Sequence, residues 1–497
     1  MIKITVNNEM FAYDMYHITK AFCPGETIEQ EVNKKCPQTI QILLEGDYSK
    51  KEHFVLEEKE INHIEDRKLK KRYVNQAVYN WLVKITGKDL AWGIMTGVRP
   101  TKPMMNLMES GLSDDEIITW MQDNYCVTDE KAQLGLKVAK KEKALLDQLD
   151  YKDGYSLYIG IPFCPSTCSY CSFTSYPISG WKQRVDKYLD AVCKELTFIA
   201  SVSQKKKLNT VYVGGGTPTT LEPEQLDRLL THLEIHFSYE HLKEITVEAG
   251  RPDSITREKL EVLKKHNIGR ISINPQTMQQ KTLDLIGRRH TTEDIRRVYA
   301  MAREIGFENI NMDLIAGLPE ETVEDMHDTL EQIKEMAPDS LTVHALAMKR
   351  ASRMTRELKD QVRDAENSCK DEENNANTAQ ILSQMIALAA TFANQMNLEP
   401  YYLYRQKNIA GNFENVGYAK VDKAGIYNIL IMEEKQSIVA VGAGASTKIV
   451  IPDEKAMIDP KTGNLKKIVR SENVKDVEQY ISRIDEMIKR KGELLWH

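Results

Sequence analysis

Several things are scarce in this chain. Cysteine numbers 8 in 497 residues, far too dilute for the disulfide framework that staples small secreted domains. Neither sign of charge is in surplus. Lys and Arg total 67 against 73 for Asp and Glu, a formal net of −6, so no overall field draws the chain to nucleic acid or to an anionic membrane. No apolar run approaches the ~18 residues of a membrane span; the best candidate, Ile381–Ala393, is broken by Ser383 and Gln384. The opening Met-Ile-Lys-Ile-Thr-Val-Asn-Asn-Glu-Met lacks the apolar stretch of a secretory signal. His290, His327 and His344 fall into no H-x3-H or H-E-x-x-H pattern and read as core or surface residues. The expectation is a reduced, cytoplasmic protein with no membrane span and no nucleic-acid partner. With 41% hydrophobic and 28% charged residues it can bury a sizeable core, and at ~150 residues per domain its length suggests roughly three domains.

Residues 1–150 mix a short strand pattern with charged helical segments. Val74, Val78, Leu82 and Ile85 fall near helical spacing, and Ser113 with Glu116 has the spacing of a helix-capping box. No chemical motif occurs here, and a docking or scaffolding domain is the expectation. From residue 151 to 348 the texture changes. Strand-like runs at Ser156–Ile161, Thr210–Gly214, Glu244–Glu248, Arg270–Asn274, Asn309–Ile315 and Ser340–Ala345 alternate with helical runs at Val185–Ser201, Pro223–His236, Arg257–His266, Thr292–Ile305 and Val323–Met336. Such alternation means βαβ units and a parallel sheet, here a partial (β/α)6 barrel within an α/β protein, with its chemistry at the C-terminal ends of the strands. Residues 349–497 form a mixed, partly helical third segment. It opens on a charge-mixed, helix-bearing connection (Lys349–Asn377) and a helical block (Thr378–Met396). Strand-like runs follow at Leu398–Tyr404, Ala424–Met432 and Ser437–Val441, and an amphipathic helix is expected over Val477–Leu495. Tyr401-Tyr402-Leu403-Tyr404-Arg405-Gln406-Lys407 interleaves aromatic and basic residues. That pattern suits either a stacking surface for RNA or a porphyrin, or a plain strand edge.

Cys164, Cys168 and Cys171 form C-x3-C-x2-C in the loop after the first barrel strand, while Cys23, Cys36, Cys126, Cys193 and Cys369 are scattered. Three thiolates this close can converge on one inorganic centre. Structural zinc wants four protein ligands, and no partner C-x2-C pair exists, so zinc would have to borrow a distant histidine. Three thiolates on an iron–sulfur cubane instead leave one iron open to a small ligand. Spacing and strand-end position both favour the cluster.

These residues carry a family resemblance. Tyr158-Ile159-Gly160-Ile161-Pro162-Phe163-Cys164 with Cys168-Ser169-Tyr170-Cys171 resembles the radical S-adenosylmethionine (SAM) superfamily, and within it the oxygen-independent coproporphyrinogen III oxidase group. The resemblance is strong over Tyr155–Ala347 and weaker over Glu414–Thr447, where Asn415-Val416-Gly417-Tyr418-Ala419 and Gly442-Ala443-Gly444-Ala445 are similar to the group's C-terminal region. The length and separate N-terminal segment are similar to its HemZ type. The resemblance implies a [4Fe–4S] cluster on Cys164, Cys168 and Cys171 whose open iron chelates SAM, and reductive SAM cleavage that yields a hydrogen-abstracting 5′-deoxyadenosyl radical. It further implies one or two bound SAM molecules around Tyr158, Tyr170, Gly215, Gly216, Thr217, Glu248, Gln276, Arg288, Asp313 and Ala347. Gly214-Gly215-Gly216-Thr217-Pro218 would let backbone approach the methionine moiety. Glu248 would hold the SAM amino group or a ribose hydroxyl, and Tyr170 would lie against the adenine. Tyr158 would wall the cluster. Gln276, Arg288 and Asp313 would surround SAM or its second copy.

The sequence departs from the group at Phe173, where the oxidase has a fourth cysteine and the heme-chaperone branch has Phe. The expected function is oxidative decarboxylation of two propionates of coproporphyrinogen III, giving protoporphyrinogen IX without oxygen. A heme chaperone that keeps the cluster, or radical chemistry on another tetrapyrrole, are the alternatives. A tetrapyrrole or heme and an electron donor such as flavodoxin or ferredoxin are the expected partners. Arg288, Arg289, Lys349 and Arg350 are candidates to meet tetrapyrrole carboxylates.

Overall fold

The computed structural model describes residues 1–23, 26–44, 52–346, 371–405, 413–452, 456–458 and 465–496. Ala347, Lys349, Arg350, Cys369, Gln406 and Lys407 lie outside the described residues, as does most of the expected connection before Asn377. The barrel strands are β1 (Gly154–Ile161), β2 (Lys207–Gly215), β3 (Glu244–Gly250), β4 (Arg270–Ile273), β5 (Ile310–Ala316) and β6 (Ser340–Ala345). Each pairs in parallel with the next. The helices between them are α1 (Val185–Val202), α2 (Pro223–His236), α3 (Arg257–Lys265), α4 (Thr292–Ile305) and α5 (Val323–Met336), and α6 (Asp371–Gln395) follows β6. This is the partial (β/α)6 arrangement expected from the alternation.

Local chemistry explains the elements. β1 is buried on both faces, as a central parallel strand must be. In α1, Val185, Tyr188, Leu189, Val192, Leu196 and Ile199 are buried while Asp186, Lys187, Asp190 and Lys194 face solvent. Each such aliphatic side chain contributes about 1.5–3 kcal/mol on burial. Thr291 with Asp294 and Thr322 with Asp325 close capping boxes at the starts of α4 and α5. The box expected at Ser113–Glu116 forms too.

Five later strands extend the same sheet instead of building another. β7 (Glu399–Arg405) and β8 (Glu414–Ala419) add an antiparallel hairpin to the free edge of β6. β9 (Ser437–Val441) runs parallel to β1 on the opposite edge, followed by antiparallel β10 (Ser446–Val450) and β11 (Ile468–Glu472). The run Ala424–Met432, expected as a strand, is instead helix α7 (Ile426–Glu433). A short apolar run has no decisive period, and here a remote carboxylate settles it. Glu244, at the N-terminal end of β3, accepts N–H bonds from Ile426 (2.6 Å) and Tyr427 (3.2 Å) and so caps the helix. α7 closes the barrel floor, with the Tyr427 ring stacked 4.4 Å from Tyr212. The expected single C-terminal helix is two, Val477–Ser482 and Ile484–Gly492, broken at Arg483. With that break, Tyr480 and Lys491 both reach the buried carboxylate of Glu195.

At the other terminus, strands Ile2–Val6, Ile28–Val32, Gln38–Leu44 and Glu52–Glu57 form a separate four-stranded sheet. Helices Glu9–Phe22 and Arg67–Thr86 pack with it around Ile4, Phe11, Met15, Ile40, Ile42 and Leu82. Trp92, Met104, Ile117 and Leu136, which follow that sheet in sequence, belong instead to the barrel's core. Among the described residues no helix is long and apolar enough to cross a membrane.

Candidate active site

The strand ends converge on one cavity of about 260 Å³. Its first wall is the loop after β1. Backbone bonds pin that loop on both sides: Thr217 N–H donates to Phe163 O (2.7 Å), Gly216 N–H to Ile161 O (2.8 Å), and Ser169 N–H to Ile286 O (3.1 Å). Gly216 has to be glycine, because a Cβ there would stand 2.5 Å from the Phe163 carbonyl oxygen. Gly215, with φ +112°, needs the same freedom. So held, the loop brings Cys164, Cys168 and Cys171 to the cavity, none of them in a disulfide. Burial pushes the Cys164 thiol up to about 11, although Thr217 Oγ1 donates to its sulfur at 3.5 Å. Metal binding reverses that preference, since the thiolate is the ligand. Among the described residues no three His, Cys, Asp or Glu side chains gather tightly enough to hold a single ion. Two guanidinium groups offset the charge three thiolates would bring. Arg251 Nη1 lies 3.6 Å from Cys168 Sγ, and Arg288 Nη2 donates to Tyr170 Oη at 3.2 Å. The donor set fits a [4Fe–4S] cluster with one iron left open.

The second wall carries acids and an amide. Glu248 Oε2 accepts the Gly215 N–H at 3.3 Å, and its other oxygen accepts from Tyr212 Oη. Burial pushes the Glu248 carboxyl up to about 7, against the pull of the Tyr212 hydroxyl. Gln276 is 8% exposed and sits at φ +71°, bonded through its backbone to Asp313 O and Ile315 N. A left-handed glutamine costs of order 1–3 kcal/mol, and such strain gathers at functional positions. Burial alone would raise Asp313, but His344, Asn311 and Thr342 together hold it below the ordinary carboxylate range. Asn311 Nδ2 donates to it at 2.7 Å, and His344 Nε2 stands 3.9 Å away. Tyr404 Oη lies 3.2 Å from His344 Nδ1.

Tyr170, Gly215, Gly216, Thr217, Glu248, Gln276, Arg288 and Asp313 thus share one cavity with the three cysteines. Tyr158 does not line it. Its ring stacks with Tyr212 at 6.2 Å and Tyr427 at 6.3 Å inside the barrel, and burial holds its hydroxyl well above the ordinary phenol range. Sequence reasoning did not assign several lining residues to the site, Arg251, His344 and Tyr404 among them. Arg251 follows the third strand directly, a position that strand-end logic could have flagged. From sequence His344 reads as a core or surface residue and Tyr404 as part of an aromatic and basic run suited to a stacking surface or a strand edge; the two meet because β7 joins β6 through β8. Phe173 lines the mouth and is 71% exposed.

Comparison with known proteins agrees with this geometry. The Radical SAM superfamily profile matches residues 158–333. The oxygen-independent coproporphyrinogen-III oxidase-like protein HemZ of Bacillus subtilis is 39% identical over 462 residues, covering 92% of this chain and 87% of that protein. The heme chaperone HemW of B. subtilis is 38% identical over 192 residues, which is 38% of this chain and 50% of the relative. The oxygen-independent coproporphyrinogen III oxidase of Escherichia coli is 34% identical over 188 residues, 38% of this chain and 41% of the relative. Among solved structures, E. coli coproporphyrinogen III oxidase (HemN), described as a radical SAM enzyme, shares the fold with a TM-score of 0.51 at 24% identity, covering 70% of this chain and 73% of that one. With three thiols, two acids and an amide lining one cavity at the strand ends, and a relative alike along nearly its whole length, the chain belongs to the radical SAM superfamily, in the family of HemZ-like proteins related to oxygen-independent coproporphyrinogen III oxidases, and it uses a [4Fe–4S] cluster and SAM.

Proposed function

We propose that this chain carries out oxygen-independent oxidative decarboxylation of coproporphyrinogen III to protoporphyrinogen IX. The observation that carries the reading is the single cavity in which Cys164, Cys168 and Cys171 face Glu248, Gln276 and Asp313, together with the near full-length likeness to a coproporphyrinogen-III oxidase-like protein. When bound, the cluster and SAM supply reductive SAM cleavage and the hydrogen-abstracting power the reaction needs. The protein's own residues bind and orient. Cys164, Cys168 and Cys171 hold the cluster, and the Gly215–Thr217 backbone admits the methionine moiety closely. Glu248 and Asp313 accept hydrogen bonds from its ammonium or a ribose hydroxyl, and Gln276 and Arg288 complete the enclosure. Arg288 also donates to the Asn274 carbonyl and Tyr170, which fixes its head. Tyr158, Tyr212 and Tyr427 seal the floor against water. Ala347, beyond the sixth strand, is assigned to the same cofactor wall on the resemblance alone.

A second reading, a heme chaperone without oxidase turnover, is favoured by Phe173 at the position of the oxidase's fourth cysteine and by the likeness to HemW. One anaerobic experiment separates the two. Reconstituted chain receives SAM, a reductant and coproporphyrinogen III. Protoporphyrinogen with stoichiometric methionine supports the oxidase. Tight heme binding with SAM left uncleaved supports the chaperone, and SAM cleavage indifferent to the porphyrinogen points to another tetrapyrrole. Cys168→Ala should lose the cluster absorbance and turnover together; turnover that survives it contradicts the site.

A further inference from the structure

We infer that Arg251 is a positioning residue for the cluster: through Cys168 it both anchors the cysteine loop and sets the energy of the cluster's reduced state. The inference rests on the reading of Cys164, Cys168 and Cys171 as cluster ligands. Arg251 follows Gly250 (φ +68°) at the end of β3 and is 3% exposed. Its guanidinium is shared between two tasks. Nε and Nη2 form a two-pronged pair with Asp253, at 2.9 and 2.6 Å. Nη1 turns the other way, to Ser166 O at 2.8 Å, Ser166 Oγ at 2.9 Å and Cys168 Sγ at 3.6 Å. Asp253 is itself fixed on a short turn, Pro252–Ser254, where Ser254 N–H and Oγ both bond the Arg251 carbonyl.

A buried guanidinium already neutralised by a carboxylate has no need of a thiol. Aimed at Cys168, Nη1 becomes a charge-assisted donor once iron replaces the thiol proton. Hydrogen bonds and charge at ligand sulfurs are among the levers by which a protein sets a cluster's potential. Reduction adds one electron to the cluster, so a cation at the sulfur favours the reduced form and an anion behind that cation opposes it. The two halves of the pair must therefore act with opposite sign, which a purely structural clamp would not do.

The test uses the full chain with its cluster reconstituted anaerobically. Iron and sulfide per chain are measured first, and the midpoint potential is then read by redox titration followed by electron paramagnetic resonance. Arg251→Gln is expected to shift the midpoint to more negative potential and Arg251→Lys to shift it less. Asp253→Asn is expected to shift it to more positive potential. Ser166→Ala, which removes a loop anchor but no charge, is expected to leave it in place. Equal midpoints at equal iron content, or shifts of the same sign for Arg251→Gln and Asp253→Asn, overturn the inference. Should Arg251→Gln retain no iron, Arg251→Lys and Asp253→Asn still decide the sign. An iron-free wild-type chain overturns the cysteine reading itself, a separate outcome.

Discussion

Burial pushes the Glu248 carboxyl up to about 7, so its charge changes near neutral pH. A SAM ammonium or hydroxyl placed there binds the carboxylate better than the neutral acid, so binding draws the proton off. Affinity for SAM should therefore climb as pH rises through about 7, by up to about tenfold per pH unit below it, and level off above. Glu248→Gln should weaken binding and abolish that step; calorimetric titrations from acid to mildly alkaline pH check both. The three cysteines stood out by their spacing, whereas Glu248 and the Gly214–Gly216 run were singled out on the family resemblance, since alone they read as a solvated strand-end charge and a turn. Tyr158 was assigned to the same wall, yet it stacks on Tyr212 and Tyr427 within the barrel. A tyrosine on a strand points up toward the strand ends or inward across the barrel according to its neighbours' packing, and one sequence does not contain those neighbours.

Among the elements, the β2 end and the cysteine loop are locked together at Gly216. Gly216→Ala brings a Cβ within 2.5 Å of Phe163 O and 3.0 Å of Ile161 O, and backbone on both sides leaves no flexible end to yield. The loop must shift, and iron retained after reconstitution should fall severely while the far-ultraviolet circular dichroism stays unchanged. The last helix, Ile484–Gly492, docks through Lys491, which pairs with Glu195 at 2.5 Å with both side chains essentially unexposed. Glu195 also accepts from Tyr480, Asn473 and the Gly442 N–H, so the helix is tied to the turn after β9. Lys491→Met strands a buried carboxylate and should cost about 3–5 kcal/mol. Hydrogen exchange should rise in both the helix and the Gly442–Ala445 turn, and adding Glu195→Gln should restore part of the loss. Periodicity found the barrel helices because their apolar stripes are continuous. It misjudged α7, whose capping carboxylate lies far away in sequence at Glu244.

At the scale of the molecule, the segment after the N-terminal sheet braces the hairpin that brings Tyr404 to the cavity. Trp92 Nε1 donates to Glu414 Oε2 at 2.8 Å, Lys131 pairs with the same carboxylate at 2.9 Å, and Arg405 N–H donates to Val98 O at 2.8 Å. Trp92→Phe removes a donor from a fully buried carboxylate, at a cost of about 1–3 kcal/mol. The melting temperature should fall and affinity for a ligand contacting Tyr404 should weaken, with iron content unchanged. Iron analysis beside a binding isotherm distinguishes this from damage to the cluster.

The order of the six βα units and the close spacing of the three thiols after the first strand were set by the sequence alone, because periodicity and short-range spacing are local properties of a chain. Tertiary structure decided the rest. It placed β9 beside β1, turned α7 into the barrel floor, and set Arg251 against Cys168 and Tyr404 against His344. Each of these depends on groups distant in sequence meeting in a low-dielectric interior, where a charge or an unpaired polar atom is tolerated only if a partner arrives.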